Sequence, residues 1–197
     1  MKIAIIGRGN VGATLGQRWT SIGHDVRYGV RRPGEADEAD AATAVAESEV
    51  VILALPAGGI TPEFIGGLPL AGKVVVDATN PIAADFGGLN WGEESSWGER
   101  VARFAPGAIV VKAFNTIGFN VMANPDFAGT PASLLIAGDD APSKAIVSGL
   151  AREIGFAPVD AGPLLQSRYL EAQAWLWISM AAKYGHGREI AFNLVTR

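Results

Sequence analysis

Residues 7–12 read Gly7-Arg8-Gly9-Asn10-Val11-Gly12, and they stand between a short apolar run and a helical pattern that continues to about Ile22. The glycine spacing is G-x-G-x-x-G, and in this strand–loop–helix setting it indicates a dinucleotide-binding loop rather than a glycine cluster for helix packing. The first glycine permits the tight turn, the second lets a pyrophosphate approach the backbone, and the third lets helix and strand pack closely. N–H groups at the helix start then bind the anion. All six residues are therefore predicted to form the cofactor site.

The end of the second predicted strand indicates which dinucleotide binds. An NAD-specific site has Asp or Glu there to bind the ribose 2′-hydroxyl, whereas this chain reads Tyr28-Gly29-Val30-Arg31-Arg32-Pro33. One guanidinium can bind a 2′-phosphate through paired, charge-assisted hydrogen bonds, and the other can stack on the adenine face. Arg31 and Arg32 therefore predict NADP as the cofactor; the alternative is a solvated basic turn.

Short β-branched runs alternate with helical patterns along the chain. The runs predict strands over residues 2–6, 25–28, 50–55, 73–77, 109–114, 133–137 and 157–160. Several are apolar on both faces, as Val50-Val51-Ile52-Leu53-Ala54-Leu55 shows, and such runs suit a parallel sheet that is covered on both sides. The pattern predicts an α/β fold with a Rossmann-type, doubly wound, mostly parallel sheet and a helical C-terminal extension.

Two helix starts and one long loop can be predicted between these strands. Ser96-x-x-Glu99 is a capping box that opens a helix through about Phe104. Asp140-Ala141-Pro142 opens another helix, which Gly155 ends. Residues 81–97 predict a long loop, and loops of this length often carry function. Within it, Trp91 is either a cover for a planar ring or a packing anchor.

The stretch from residue 164 to 184 predicts one long helix that is apolar around much of its circumference. Such a helix needs burial on more than one side. Tyr169, Leu176, Trp177 and Met180 form a large apolar surface, so we expect a homodimer through this helix; packing within the monomer is the alternative. The predicted organisation is an NADP-binding Rossmann domain over residues 1–163 and a C-terminal helical extension of the same domain over residues 164–197.

Composition argues against several functional classes. The chain has 197 residues, 49% of them hydrophobic, which suits one domain with a sizeable core. A net charge of −4 does not suit binding to nucleic acid or to an anionic membrane. There are no cysteines and only two histidines, so neither thiol chemistry nor a metal site is expected. The chain shows no signal-peptide pattern and no apolar run of about 20 residues, and we expect a cytoplasmic protein without membrane contact.

Motifs beyond the glycine loop make the chain similar to a known family. They include Gly23-His24-Asp25-Val26, Leu55-Pro56, Val76-Asp77-Ala78-Thr79-Asn80-Pro81 and Val111-Lys112-Ala113-Phe114-Asn115-Thr116. The later motifs, Val159-Asp160-Ala161-Gly162-Pro163-Leu164 and Ser167-Arg168-Tyr169-Leu170-Glu171, are not general features of dinucleotide-binding domains. Over nearly its whole length the chain resembles the NADPH:coenzyme-F420 oxidoreductases, and it also resembles the cytoplasmic oxidoreductase domain of the STEAP metalloreductases.

The resemblance implies a single NADP-binding domain that passes hydride to a flavin-like ring. It implies that Arg8, Gly9, Asn10 and Val11 bind the pyrophosphate and that the turn at Arg31 binds the other phosphate. The residues that it places beside the nicotinamide and the acceptor are Leu55, Pro56, Ala57, Asn80, Asn115, Thr116 and Ile117. The archaeal F420 enzymes carry His in place of Asn115, and Asn-Thr is closer to the metalloreductase-like branch. The hydride acceptor is therefore left open among F420, FMN and FAD.

Hydride transfer between nicotinamide and a flavin-type ring needs alignment of the two rings rather than acid–base side chains. No catalytic side chain is therefore predicted, and the leading hypothesis is an NADP-dependent oxidoreductase with a small-molecule redox acceptor. One alternative is a reductase of a small carbonyl or imine, which needs a proton donor such as Lys183. Lys183 also suits a helix C-terminus. The other alternative is an NADP-binding sensor without turnover.

Overall fold

An eight-stranded sheet lies at the centre of the computed structural model, within the part of the chain that it describes, residues 1–91 and 96–197. The strands in chain order are β1 (Lys2–Ile6), β2 (Asp25–Gly29), β3 (Glu38–Ala39), β4 (Val50–Leu53), β5 (Val74–Asp77), β6 (Ile109–Lys112), β7 (Asp126–Phe127), β8 (Thr130–Pro131), β9 (Ser133–Gly138) and β10 (Ala157–Gly162). Their order across the sheet is β10-β9-β6-β5-β4-β1-β2-β3. Neighbouring strands are parallel except β6 and β9, and β7 pairs with β8 in a separate hairpin.

Helices cover both faces of this sheet. They are α1 (Asn10–Ser21), α2 (Ala41–Ala46), α3 (Pro62–Gly66), α4 (Trp97–Phe104), α5 (Phe119–Ala123), α6 (Ala141–Glu153) and α7 (Ser167–Ala182). Single turns of 3-10 helix occur at Ala57–Gly59 and Leu164–Gln166. The predicted α/β class, a Rossmann-type mostly parallel sheet with a C-terminal helix, is confirmed.

The core consists of two apolar layers, one on each face of the sheet. In β1, Ile3 and Ile5 pack into the layer under α1, α5 and α6, while Ala4 and Ile6 pack into the layer under α2, α3 and α4. Successive side chains of a strand point to opposite faces, so a strand that is buried on both faces must be apolar throughout. This is why β1 and β4 contain no polar residue after Lys2.

The predicted element boundaries agree with the structure to within two residues for the seven predicted strands. Both predicted helix starts are confirmed: Ser96 Oγ accepts the Glu99 N–H at 3.2 Å, and the Asp140 carboxylate accepts the Ser143 N–H at 2.8 Å. The strands β3, β7 and β8 were not predicted because two residues leave no periodic pattern. Part of the predicted loop, residues 92–95, lies outside the described residues.

The C-terminal helix α7 has a buried face and an exposed face. Its buried apolar residues are Leu170, Ala174 and Trp177. The prediction that Trp177 belongs to an exposed surface is wrong: its side chain is 8% exposed, because the ring packs against Gly118, where an added Cβ would overlap it. Tyr169 and Leu176 are exposed, as predicted, and Met180 is half-buried. Among the described helices, none is both long enough and apolar enough to cross a membrane.

After α7 the chain turns back along the domain. Trp177 Nε1 donates to the Ile190 carbonyl oxygen at 2.7 Å. Asn193 Oδ1 accepts the Ser133 N–H at 2.8 Å, and Ser133 Oγ accepts the Leu194 N–H at 3.0 Å. These contacts fasten the C-terminal tail, residues 183–197, to α7 and to the first residue of β9.

A fully buried ion cluster joins the sheet to α4 and α7. Lys112 ends β6, and its Nζ lies 2.8 Å from Asp77 Oδ2 and 2.8 Å from Glu171 Oε1, and donates to the Thr79 carbonyl oxygen at 2.7 Å. All three charged side chains are 0% exposed. Glu171 also accepts two backbone N–H groups at the start of α4, at 2.9 and 3.0 Å. The positive end of α4 thus stabilises the carboxylate charge that a single lysine does not balance.

We predict that Lys112→Met lowers the free energy of unfolding by about 3–5 kcal/mol, because it leaves two buried carboxylates without a cation. Chemical denaturation monitored by circular dichroism measures this loss. The matched control is Lys144→Met, which removes the same charge from a pair with Asp160 at 2.7 Å, whose carboxylate side chain is 62% exposed. That change should cost no more than about 1 kcal/mol. Equal losses in the two variants would contradict the prediction.

Candidate functional site

A cavity of about 840 Å³ opens at the carboxyl ends of β1, β2 and β4. The chain runs from β1 to β2 on one side, while β4 lies on the other side of β1. Open α/β sheets bind their ligands where the strand order reverses in this way. The lining residues are Ile6, Gly7, Arg8, Gly29, Val30, Arg31, Asp40, Ala41, Leu55, Pro56, Gly58, Gly59, Thr61 and Phe64. The structure thus brings Gly7 and Arg8 of the glycine loop, Arg31 and the Leu55–Pro56 pair to one space. The rest of the loop, residues 9–12, does not line this space.

Gly7 and Gly12 have the backbone geometry that the glycine spacing predicts. Gly7 has a φ of +106°, and an added Cβ would lie 2.6 Å from the Ala54 carbonyl oxygen. At Gly12, an added Cβ would overlap the Gly7 carbonyl oxygen, so this glycine permits close packing of helix and loop. At Gly9, an added Cβ would meet no described atom within 4 Å. The space over the Gly9 backbone is therefore open to a ligand.

The start of α1 has the properties of an anion site. Gly9 is its N-cap and offers no side-chain oxygen, and Asn10 and Val11 begin a first turn without an acidic residue. The first N–H groups of a helix have no partner within the helix, and the helix dipole favours negative charge beside them. This end of α1 can therefore bind a phosphate.

The arginine turn lies between β2 and β3. Arg31 and Arg32 are both exposed, and Arg31 lines the cavity whereas Arg32 does not. Neither guanidinium forms an ion pair with another residue in the described part of the chain. Arg31 is thus available to a phosphate within the cavity, and Arg32 lies farther out on the same turn.

Two acidic residues that the sequence analysis missed lie beside this turn. Arg8 Nη1 donates to Asp37 at 3.0 Å and to Glu38 at 2.7 Å, and Nη2 donates to Asp37 at 2.9 Å. The guanidinium also lies over the Tyr28 ring, 4.4 Å from its centroid. Its hydrogen bond to Glu38 is the main cause that raises the pKa of Arg8, and the same bond lowers the pKa of Glu38. Both groups therefore stay charged at neutral pH.

The opposite wall of the cavity follows β4. Leu55 and Pro56 line it, while Ala57 begins the 3-10 turn behind them and is 8% exposed. Sequence reasoning missed the residues that continue this wall, Gly58, Gly59, Thr61 and Phe64. The sequence does indicate a helix start here, because Thr61 is a preferred N-cap residue. In the structure, Thr61 Oγ1 accepts the Phe64 N–H at 3.2 Å.

Asn80 and Asn115 lie at the carboxyl ends of β5 and β6, outside the cavity lining. Asn80 Nδ2 donates to the Asn115 carbonyl oxygen at 2.8 Å, and Asn115 Nδ2 donates to Asn80 Oδ1 at 3.1 Å. Asn115, Thr116 and Ile117 are 5%, 3% and 7% exposed. The two asparagines thus join the ends of neighbouring strands, and Thr116 and Ile117 extend the joined segment into the core.

The backbone before this segment is strained. Phe114 has a φ of +64°, a region that bulky side chains rarely adopt. Its ring packs edge-on against Trp19 and Phe156, with centroids 5.7 and 6.1 Å away. Aromatic packing therefore holds the sharp turn that directs Asn115 toward Asn80.

Lys183, considered above as a proton donor, and Trp91, considered as a cover for a planar ring, both lie outside the cavity lining. Lys183 Nζ donates to the Phe86 carbonyl oxygen at 2.8 Å and lies 4.8 Å from the centroid of a Trp175 ring. Trp91 Nε1 donates to Glu171 at 2.6 Å, so Trp91 anchors its loop to the buried ion cluster. Neither Lys183 nor Trp91 lines the cavity.

The chain is similar to known proteins in both sequence and architecture. A family model described as "NADP oxidoreductase coenzyme F420-dependent" matches residues 2–81. An F420-dependent NADP reductase of Methanothermobacter marburgensis is 32% identical over 93% of this chain and 93% of its own. A solved structure of a candidate F420-dependent NADP reductase from Arthrobacter sp. FB24 matches the whole of both chains with a TM-score of 0.86 and 29% identity.

A second group of relatives is larger than this chain. The metalloreductase STEAP3 of Rattus norvegicus is 31% identical over 87% of this chain, and the match covers 36% of the metalloreductase. The chain therefore corresponds to about a third of that relative.

We predict that Gly9→Val abolishes binding of both NADPH and NADH, because the added methyl groups would fill the space over the loop backbone. The fold should persist, since Gly9 has φ −75° and ψ −172°, which valine adopts readily. Calorimetric titration measures binding, and a thermal melt checks folding. Gly149→Val in α6 is the control, because an added Cβ there also meets no described atom within 4 Å. Retained affinity in the Gly9 variant would contradict the assignment of the loop.

Proposed function

Because the chain belongs to the family of coenzyme F420-dependent NADP oxidoreductases, we propose that it transfers hydride between NADPH and a flavin-like or deazaflavin ring of the F420 type. Family membership makes it an NADP-dependent oxidoreductase, and the acceptor is what the proposal adds. The observation that supports it most is the shared cavity, which Gly7 and Arg8 of the glycine loop line together with Arg31 and the Leu55–Pro56 pair.

We assign each part of an NADP molecule to residues in or beside the cavity. The open space at Gly9 and the first turn of α1 would hold the pyrophosphate. Arg31 would hold the 2′-phosphate, with Arg32 beside it, because a guanidinium donates paired hydrogen bonds to phosphate oxygens. Leu55 and Pro56 would border the nicotinamide, toward the ends of β5 and β6. Each of these assignments is part of the proposal.

For hydride transfer, the chain has to align the two rings and keep water away from them. NADPH supplies the hydride when it is bound, and the reacting carbons of donor and acceptor rings must lie about 3–3.5 Å apart. Asn80 and Asn115 hold the ends of β5 and β6 together through two hydrogen bonds. We infer that this segment, with Thr116 and Ile117, forms the wall against which the acceptor ring is placed. The three residues from Asn115 are buried, which would help to keep water away from the reacting rings.

The alternative of a carbonyl or imine reductase needs a proton donor beside the substrate oxygen. Lys183, the donor that this alternative would use, donates to the Phe86 carbonyl oxygen and lies over Trp175. We therefore infer a ring acceptor, for which no such donor is required.

The proposal is tested by NADPH oxidation, followed at the nicotinamide absorbance, with F420, FMN, FAD and simple carbonyl compounds as acceptors. We expect turnover with at least one of the three ring acceptors and none with the carbonyls. The Gly9→Val variant, which should not bind NADPH, gives the background rate of NADPH oxidation. Turnover with carbonyls alone would replace the proposal by the reductase alternative. Tight NADPH binding without turnover on any acceptor would make the chain a sensor.

We also propose that two copies of the chain form a dimer through α7, and that residues 164–197 belong to the same domain as residues 1–163. The domain assignment is supported by Glu171, which binds Lys112 and the start of α4. The dimer is supported by Tyr169 and Leu176, which are 66% and 52% exposed. They are seven positions apart, so they share one helix face.

We predict that Leu176→Glu converts the dimer to monomer, because a charge would replace an apolar contact at its centre. Sedimentation velocity of the wild type and the variant measures the change. Ile146→Glu in α6 is the control, since Ile146 is also apolar and 37% exposed but lies on another helix. A monomeric wild type, or equal dissociation in the control, would contradict the proposed interface.

A further inference from the structure

The contacts of Arg8 are unusual for a residue of a phosphate-binding loop. Arg8 lines the cavity, yet both terminal nitrogens of its guanidinium are bound to carboxylates, Asp37 and Glu38, at 2.7–3.0 Å. Its face is covered by Tyr28. The side chain is therefore occupied within the protein before any ligand arrives.

The two carboxylates stand next to the turn that carries Arg31. Strand β3 pairs with β2 so that Glu38 lies opposite Tyr28 and Ala39 opposite Gly29. Glu38 Oε2 accepts the N–H groups of Gly34 and Glu35 at 2.9 and 3.2 Å. The turn thus begins and ends at the same edge of the sheet, and Asp37 and Glu38 lie at its base.

This placement creates an electrostatic problem for the cofactor. In an NAD-specific site, an acidic residue at this edge binds the ribose hydroxyls and repels a 2′-phosphate. Here β3 brings two carboxylates to the same edge, although β2 itself ends without one. Two negative charges beside a phosphate would oppose the attraction of Arg31. Arg8 is bound to both of them and balances one of the two charges.

We propose that Arg8 determines cofactor specificity indirectly, by holding Asp37 and Glu38 in an ion pair that keeps their charge away from the 2′-phosphate of NADP. The inference rests on the proposed function, since it takes the turn at Arg31 as the 2′-phosphate site. Arg8 then acts as a positioning residue, through two carboxylates, and the preference for NADP depends on this ion pair as well as on Arg31.

The test compares dissociation constants for NADPH and NADH, measured by calorimetry on the full chain. Arg8→Met should weaken NADPH binding about tenfold, because two like charges then face the phosphate. NADH binding should stay the same or tighten, because the released carboxylates can accept ribose hydroxyl groups. In the triple variant Arg8→Met, Asp37→Asn, Glu38→Gln, the preference for NADPH should return to within about threefold of the wild type, as the repelling charges are gone.

The triple variant separates this role from a direct contact. If Arg8 touches the 2′-phosphate, NADPH binding falls in the single variant and does not recover in the triple variant. If Arg8 touches the pyrophosphate, both cofactors lose affinity together. Either result overturns the inference. Asp160→Asn, which breaks an exposed pair with Lys144 at the opposite edge of the sheet, is the control and should leave both dissociation constants unchanged.

Two further arms keep the test decisive. If Arg8→Met fails to fold in a thermal melt, the double variant Asp37→Asn, Glu38→Gln replaces it. The NADPH preference of the double variant should rise severalfold, and an unchanged preference overturns the inference.

Arg31→Ala tests the proposed function separately, with an expected loss of affinity of about ten- to hundredfold for NADPH and none for NADH. An unchanged Arg31→Ala affinity would remove the proposed phosphate site, whereas failure of the triple variant alone would remove only the role of Arg8.

Discussion

The buried ammonium group of Lys112 holds together segments that lie far apart in the sequence. It binds Asp77 at the end of β5 and Glu171 in the second turn of α7, and Glu171 in turn binds the start of α4 and the indole of Trp91. Charges that are fully buried need partners in fixed positions, because each unpaired one costs several kcal/mol. The positions of α7, of Trp91 and of the start of α4 are therefore set by the same cluster that ends β5 and β6.

The ligand edge of the sheet depends on this arrangement. Asn80 follows Asp77 by three residues, and Asn115 follows Lys112 by three, so the amide pair lies just beyond the ion cluster. On the other side of β4, the loop beside the cavity needs glycine at Gly7 and Gly12, where an added Cβ would overlap backbone oxygens. The ends of β5 and β6 are thus held in place by buried charges, whereas the loop after β1 is shaped by glycines, which have no side chain. The proposed cofactor spans both parts of the edge.

Sequence patterns predicted the elements whose causes are local. Seven strands, the cap at Ser96 and the roles of Gly7 and Gly12 follow from residue types within a few positions of each other. The ion pair between Arg8 and Glu38 could not be predicted in this way, because β3 is two residues long and 30 positions separate the partners. Burial of Trp177 was missed for a similar reason, since its partner Gly118 is distant in sequence. The contacts of Asn115 and Arg31 with ligands remain predictions.

The tail after α7 resembles a short peptide bound to a receptor, with the covalent link supplying a high effective concentration. Its fastenings described above are single hydrogen bonds, made through Ile190, Asn193 and Leu194, and each contributes about 1 kcal/mol. Gly185 and Gly187 precede it with φ of +77° and +71° and exposed backbone, which suits a protease. A cut between them would therefore turn an intramolecular contact into a bimolecular one, and dilution alone would release the peptide and expose the indole nitrogen of Trp177.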